Sequence, residues 1–345
     1  MRRRAMLQGI LLGAGVSLSG PMVEAIDSVR RQADRVLDAS TVSATTIDHW
    51  EETAHQYGSA YMRVAPVRLL RDVVADFADV QQFAQARQPL EYQKRLCYIT
   101  GQLAGITGVL LIDLGDFRQA RAWFHTARLA ADETGDRWLR SWVRAEEAGV
   151  PYYYGQPLEA IRVAREARSV ARDLPCSGGV MGAAMEARAL ARLGNTAAAR
   201  QALKVAENIF ERLPRQDREP GAFGFPEQRL RIYASSVFTQ TGDTKEARSQ
   251  QDRGLSLVKQ SRIPTPRSLL NFDKAHTLVT DNELVEAATV ATSAVFDLPV
   301  EHRTDIVINR AREVAYSVPE DRRQIPQVRA FIDMLDQVKS TRNLA

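Results

Sequence analysis

The sequence predicts an all-α protein, an α-solenoid of helical hairpins, and three observations predict it. The first is a recurrence of small residues. Around the turn Gly115-Asp116 they stand seven positions before (Gly108), five after (Ala120) and twelve after (Ala127). The same offsets from Gly155 reach Ala148, Ala160 and Ala167, and from Gly194 they reach Ala187, Ala199 and Ala206. Gly242 gives Ser235, Ala247 and Gly254, and a degenerate fifth anchor, Asn282, gives Ala275, Ala287 and Ala294. All fifteen positions hold Gly, Ala or Ser. Antiparallel helices joined by a tight turn cross closely only where side chains are small, and such self-similarity marks a helical-repeat solenoid. The second observation is composition: alanine is abundant and arginine greatly outnumbers lysine, and both residues suit helices. The third is that no run with the two-residue period of a strand stands out.

Each element has its own signals. Residues Met22–Leu37 carry Val23, Ile26, Val29 and Val36 along one side of a helix. Ser43-Ala44-Thr45-Thr46 is a start signal for a helix from Ile47 to about Arg63. Pro66 stands where a first-turn proline is tolerated and opens the next helix, through Leu69, Val73, Phe77 and Val80. The repeats then run as pairs, Leu90–Leu114 with Phe117–Glu133, Arg137–Tyr154 with Pro157–Asp173, and Gly178–Leu193 with Thr196–Leu213. A connection at Pro214–Pro226, rich in Pro and Gly, reads as a floppy surface loop, with a lid over the concave face as the other reading. After it come Pro226–Thr241 with Lys245–Gln260, Pro266–Thr280 with Glu283–Leu298, and a final pair, Glu301–Tyr316 and Pro326–Val338.

The best unit, with Gly108, Leu114-Gly115-Asp116, Ala120, Phe124 and Ala127, resembles the tetratricopeptide repeat. The resemblance covers about residues 91–318 and implies a right-handed α-solenoid of tetratricopeptide-like hairpins. The anchors fall 39, 40 or 48 residues apart, longer than the usual ~34, and the aromatic slot of Phe124 holds Ala164, Leu203, Gln251 and Ala291 in later units. Four segments are expected: an apolar stretch at 1–21, N-terminal helices of the same superhelix at 22–89, repeats at 90–318, and a capping helix with tail at 319–345.

The segment Trp50-Glu51-Glu52-Thr53 through Tyr57-Gly58, with Arg95-Leu96-Cys97 and Gln102-Leu103-Ala104-Gly105, resembles the sensor half of helix-turn-helix transcriptional regulators from high-GC Gram-positive bacteria. That family's DNA-binding head is not found here, so direct DNA binding is not expected. Arg2-Arg3-Arg4 ahead of the apolar run Ala5–Leu18 has the layout of a secretory signal and looks like a twin-arginine export motif. In the family resembled, a segment of this kind lies between the head and the repeats, which implies a cytoplasmic protein with export as the alternative. The run is too short for a spanning helix of ~20 apolar residues, so stable membrane insertion is not expected.

The net charge of +4 is a mild bias spread over faces of mixed sign, which reads as solvated surface rather than a nucleic-acid footprint. Cys97 and Cys176 lie in separate repeats and read as free thiols. No two of the five histidines stand four apart on a helix, so no zinc pair is expected, and no metal or other cofactor is implied. Gly101, Gly105 and Gly108 lack a following Gly-Lys-Ser/Thr and read as close-packing positions in a helix. Glu146-Glu147 diverge on a helix and make no acid/base pair. No catalytic residues are proposed, so a non-enzymatic binding module is expected.

In a solenoid the first helix of each pair lines the inner surface. The anchors place Trp142 and Tyr153, Arg188, Arg229 and Gln240, and Phe272 and His276 on successive first helices, as the candidate ligand groove. Trp142 and Tyr153 read equally well as core. Aromatics and arginines are the types enriched in binding hot spots, and an arginine grips a carboxylate through two parallel hydrogen bonds. The expected partner is a peptide or protein ligand in the concave groove, sensed by a regulatory solenoid. The alternative is a structural adaptor in a protein assembly, and a homodimer is a further candidate.

Overall fold

The computed structural model describes residues 20–38, 42–85, 88–261 and 263–337, and among these every regular element is a helix and no strand occurs. The arginine-led apolar run Ala5–Leu18 of the expected 1–21 segment and the tail at 338–345 fall outside the described residues. The chain divides into two compact units, residues 1–46 and 47–345. In the first, α1 (Gly20–Asp38) exposes Val23, Ile26 and Val29. Helix α2 (Ala44–Ala60) starts at the serine the sequence marks, with Ser43 Oγ accepting the Thr46 amide hydrogen at 3.1 Å.

In the second unit α3 (Pro66–Gln85) leads to a series of hairpins. α4 (Leu90–Asp113) packs with α5 (Phe117–Thr134), and α9 (Ser177–Arg192) with α10 (Thr196–Glu211). α11 (Glu227–Gln240) packs with α12 (Thr244–Leu257), α13 (Thr265–Thr280) with α14 (Leu284–Phe296), and α15 (Asp305–Ser317) and α16 (Pro326–Gln337) follow. The remaining hairpin corrects the expectation of one helix from Arg137 to Tyr154. Its first arm is broken into α6 (Arg137–Glu147) and α7 (Gly149–Tyr153), which both pack on α8 (Pro157–Ala171). Pro151 has no amide hydrogen, so the Glu147 carbonyl lacks its intrahelical donor and the helix breaks there.

The anchors work as the sequence requires. Gly115, Gly155, Gly194 and Gly242 all have φ between 73° and 80°, and Asn282 has φ 63°. This left-handed turn suits glycine and admits asparagine. It ends the first helix with a recurring pair of hydrogen bonds, Gly115 N to Ile112 O (3.0 Å) and Asp116 N to Leu111 O (2.9 Å) in the first unit, repeated at Gly194, Gly242 and Asn282. The next residue then caps the second helix. Asp116, Asn195 and Asp243 accept the amide hydrogens of Gln119, Ala198 and Glu246. All fifteen small positions are buried. A Cβ on Gly108 would run into the Phe124 ring, and one on Gly105 into the Trp142 ring.

The first arms α4, α6, α9, α11, α13 and α15 each pack on the next, and α15 packs back on α4. They therefore form a closed circuit, which corrects the expectation of an open concave groove. The reason lies in the inner face: it carries charged groups that pair across the interior, such as Arg192 with Glu313 at 2.6 Å and Arg229 with Glu146 at 2.9 Å. Helix α4 is the one described helix long and apolar enough to cross a membrane, and it is mostly buried in this core.

The Pro214–Pro226 connection is a docked strap, not a floppy loop. Ala222 N donates to Gly58 O at 2.8 Å, and the Ala222 carbonyl accepts the Trp142 indole hydrogen at 2.8 Å. The Phe223 ring lies edge-on to Trp142 and Trp138 and against Gly58, where any side chain would collide with it.

Candidate functional site

Inside the circuit lies a cavity of about 150 Å³. Its wall is built from the inner faces and ends of the first arms. Asp113 comes from the end of α4, Tyr153 from the end of α7, and Arg188 from α9. Arg229, Tyr233 and Ser236 lie one turn apart on α11, Asp273 stands on α13, and Arg310 on α15. Tyr61, just past α2, completes it. Lining residues that keep solvent contact, among them Met62, Pro220, Gln228, Thr265, Leu269 and Ile306, mark the mouth. Pro220 and Gly221 bring the strap to its edge.

Most charges here are paired. Arg229 donates to both oxygens of Glu146, at 2.9 and 3.1 Å. Arg310 binds Asp273 and Glu313, and Asp273 also accepts from Ser235 Oγ at 2.8 Å. Arg188 differs. It is 3% exposed, and its guanidinium lies over the rings of Tyr152, Tyr233 and Tyr153, at 4.3, 4.9 and 5.6 Å. Its polar contacts are long, 3.4 Å to both Ser236 Oγ and Tyr153 Oη, and no carboxylate lies within ion-pair distance among the described residues. The field at the neighbouring Tyr152 is accordingly positive. Burial alone would raise the Tyr152 hydroxyl, yet Arg188, Arg192 and Arg310 together hold its pKa below the ordinary value. Burial, and then Arg310, also lower His276.

Asp113 is the counterpart. It is half-buried near the mouth, and desolvation pushes its pKa up to about 7, with nearby Glu146 adding to the rise and the Tyr61 hydrogen bond and Arg229 opposing it. Among the described residues its side chain has one hydrogen-bonding partner, the Tyr61 hydroxyl at 2.9 Å. Burial likewise raises Glu146, against the pull of Arg229.

Of the groove residues expected from sequence, Tyr153, Arg188 and Arg229 come together on this cavity, and the other four stand apart from it. Trp142, 1% exposed, is packed between Gly105 and Phe223 and clamps the strap. Phe272 is fully buried in the apolar core shared by α13, α14 and α15. His276 is half-buried on α13 outside the cavity lining. Gln240 donates to Tyr152 Oη at 3.2 Å and to Ser236 Oγ at 3.5 Å, and its Oε1 is buried without a partner.

Sequence reasoning missed Tyr61, Asp113, Tyr233, Asp273 and Arg310. One signal was available: residues 96–112 hold no Asp, Glu, Lys or Arg, and Asp113 ends that run. A lone charge closing a buried helix needs an explanation. Nothing comparable marks Arg310, whose partner Asp273 lies on another hairpin. No protein-family model and no curated protein matches the chain. Among solved structures the chain is similar to the crystal structure of BtubC (BKLC) from P. vanneervenii, with a TM-score of 0.48 and 14% identity over 68% of this chain and 91% of that one, a likeness that carries no functional argument.

Proposed function

We propose that the chain is a non-enzymatic sensing module, a right-handed solenoid of tetratricopeptide-like hairpins whose first arms enclose a receptor for a carboxylate-bearing ligand. Like the sensor halves of the transcriptional regulators it resembles, it would pass ligand occupancy to a partner protein through a change in helix packing. The observation that carries this reading is Arg188, a buried cation that lines the cavity with no carboxylate beside it among the described residues. Leaving an ion buried and unpaired costs several kcal/mol, and a ligand carboxylate would remove that cost through paired, charge-assisted hydrogen bonds. A cavity of about 150 Å³ has room for roughly five waters at ~30 Å³ each, so it accepts a small acid or the last residue of a peptide rather than a peptide backbone laid across the molecule.

The test is calorimetric titration of short peptides with free and with amidated C-termini into wild type and Arg188→Met. The reading expects binding of the free acids only, and a loss of ~1.5–3 kcal/mol in the variant, the worth of a hydrogen bond to a charged group. Equal binding of the amides, or wild-type affinity in the variant, would set the reading aside in favour of an adaptor that uses its outer faces.

A further inference from the structure

Two opposite charges are left without a counter-ion in the same cavity. Among the described residues Arg188 has tyrosine rings, long hydroxyl contacts and the Met185 sulfur around its guanidinium, and no carboxylate. Asp113 has only the Tyr61 hydroxyl, and no Arg, Lys or His lies within ion-pair distance of it among the described residues. Every other charge on the wall is matched, Arg229 by Glu146 and Arg310 by Asp273. His302, the remaining titratable group there besides the tyrosines, has its pKa lowered by burial. The two unmatched groups do not satisfy one another, although neutralising both at once would remove two desolvation costs.

We infer that the ligand is a zwitterion the size of a free α-amino acid, with its carboxylate on Arg188 and its ammonium toward Asp113. This rests on the carboxylate-receptor reading above and narrows it. A ligand with only an acid group would satisfy Arg188 and leave the half-buried Asp113 without a cation. A peptide C-terminus has the same defect, because its last nitrogen is an amide with no charge. The elevated pKa of Asp113, about 7, is the behaviour of a carboxyl that burial has deprived of a counter-ion, and an ammonium beside it would reverse the shift. Size agrees as well, since a cavity of about 150 Å³ takes a molecule of roughly six heavy atoms, the size of benzene, which the smaller α-amino acids match. The faces of Tyr153 and Tyr233 on the same wall can cover the side chain or the ammonium.

The experiment measures thermal stabilisation of the full chain by each of the twenty free L-amino acids, followed by calorimetry with the N-acetyl and C-amide forms of the same compounds. At least one free amino acid is expected to raise the melting temperature saturably, as mass action requires of a ligand that binds only the folded state. Its N-acetyl and amide forms are expected to bind at least tenfold more weakly. Asp113→Asn should erase the preference for the free amine over the N-acetyl form. Arg188→Met should abolish binding of both, and Arg188→Lys, which keeps the charge, should weaken it less. N-acetyl forms that bind as tightly as the free amino acids would overturn the zwitterion and leave the carboxylate receptor standing. Failure of all twenty to bind overturns the zwitterion too, and the peptide titration then decides the broader reading separately.

Discussion

Arg188 and Arg229 have the same side chain, lie on adjacent first arms and line one cavity, but their neighbours give them different roles. Arg229 compensates a buried carboxylate, and removing it leaves Glu146 charged and alone. Breaking a buried pair from one side costs about 3–5 kcal/mol, so Arg229→Met should lower the unfolding free energy by about that much near neutral pH. Arg188→Met strands no carboxylate: it forfeits tyrosine contacts worth ~0.5–2 kcal/mol but also removes a buried cation without a counter-ion, so it should be neutral or stabilising. The deficit of Arg229→Met should also depend on pH. Glu146 already has a raised pKa in the folded protein, and without Arg229 it rises further. A carboxyl with its folded pKa above the unfolded one lowers stability as pH climbs from the unfolded value toward the folded one. The variant should therefore lie close to wild type at pH 4 and fall away by pH 7. Denaturant melts of both variants at the two pH values check this. Equal losses for the two arginines would show that the Glu146 pair does not govern the site.

At the scale of the element, the hairpin is a device for bringing two backbones close. Ala120, Ala160 and Ala199 are all fully buried and stand at the same offset from their turns. Changing any of them to Leu should overpack the crossing and cost ~1–3 kcal/mol, with all three behaving alike because the geometry repeats. An unchanged melt in any one of them would show a slack crossing at that hairpin. Helix ends were legible in the sequence for the same local reason. The glycine at the turn supplies the left-handed residue, and the Asp or Asn after it caps the next helix, so both signals lie within a few positions of what they control. The break between α6 and α7 was missed, although its signal is local too: Pro151 removes a donor wherever the helix is placed. The site was readable only in part: Arg188, Arg229 and Tyr153 follow from inner-face spacing, whereas Asp273 and Arg310 are matched to partners in other hairpins that no local spacing reveals.

Across the whole molecule, closure of the first-arm circuit turns a concave face into an interior, and the strap at Pro214–Pro226 borders its mouth. Trp142 holds that strap by one hydrogen bond to the Ala222 carbonyl and by ring contact with Phe223. Trp142→Phe keeps most of the ring and deletes the donor, leaving the carbonyl unsatisfied at ~1–3 kcal/mol. Hydrogen exchange at residues 216–224 should quicken by tenfold or more, while amides in α4 and α9 keep their protection. Unaltered exchange in the strap would mean that Gly58 and Phe225 hold it without Trp142.

The sequence by itself determined the helical class, the hairpin turns and the small crossing positions, because these depend on backbone conformations and on contacts between residues close along the chain. Only the tertiary structure decided that the groove is closed, that Trp142 and Phe272 serve packing, and that Arg188 and Asp113 face one cavity uncompensated. Those outcomes depend on how small rotations between hairpins accumulate until α15 meets α4, and on charges paired across more than eighty residues, as Arg229 is with Glu146. Periodicity places a side chain on a helix face, but the face opposite comes from a distant part of the chain, and that partner decides whether a buried charge is matched or left for a ligand.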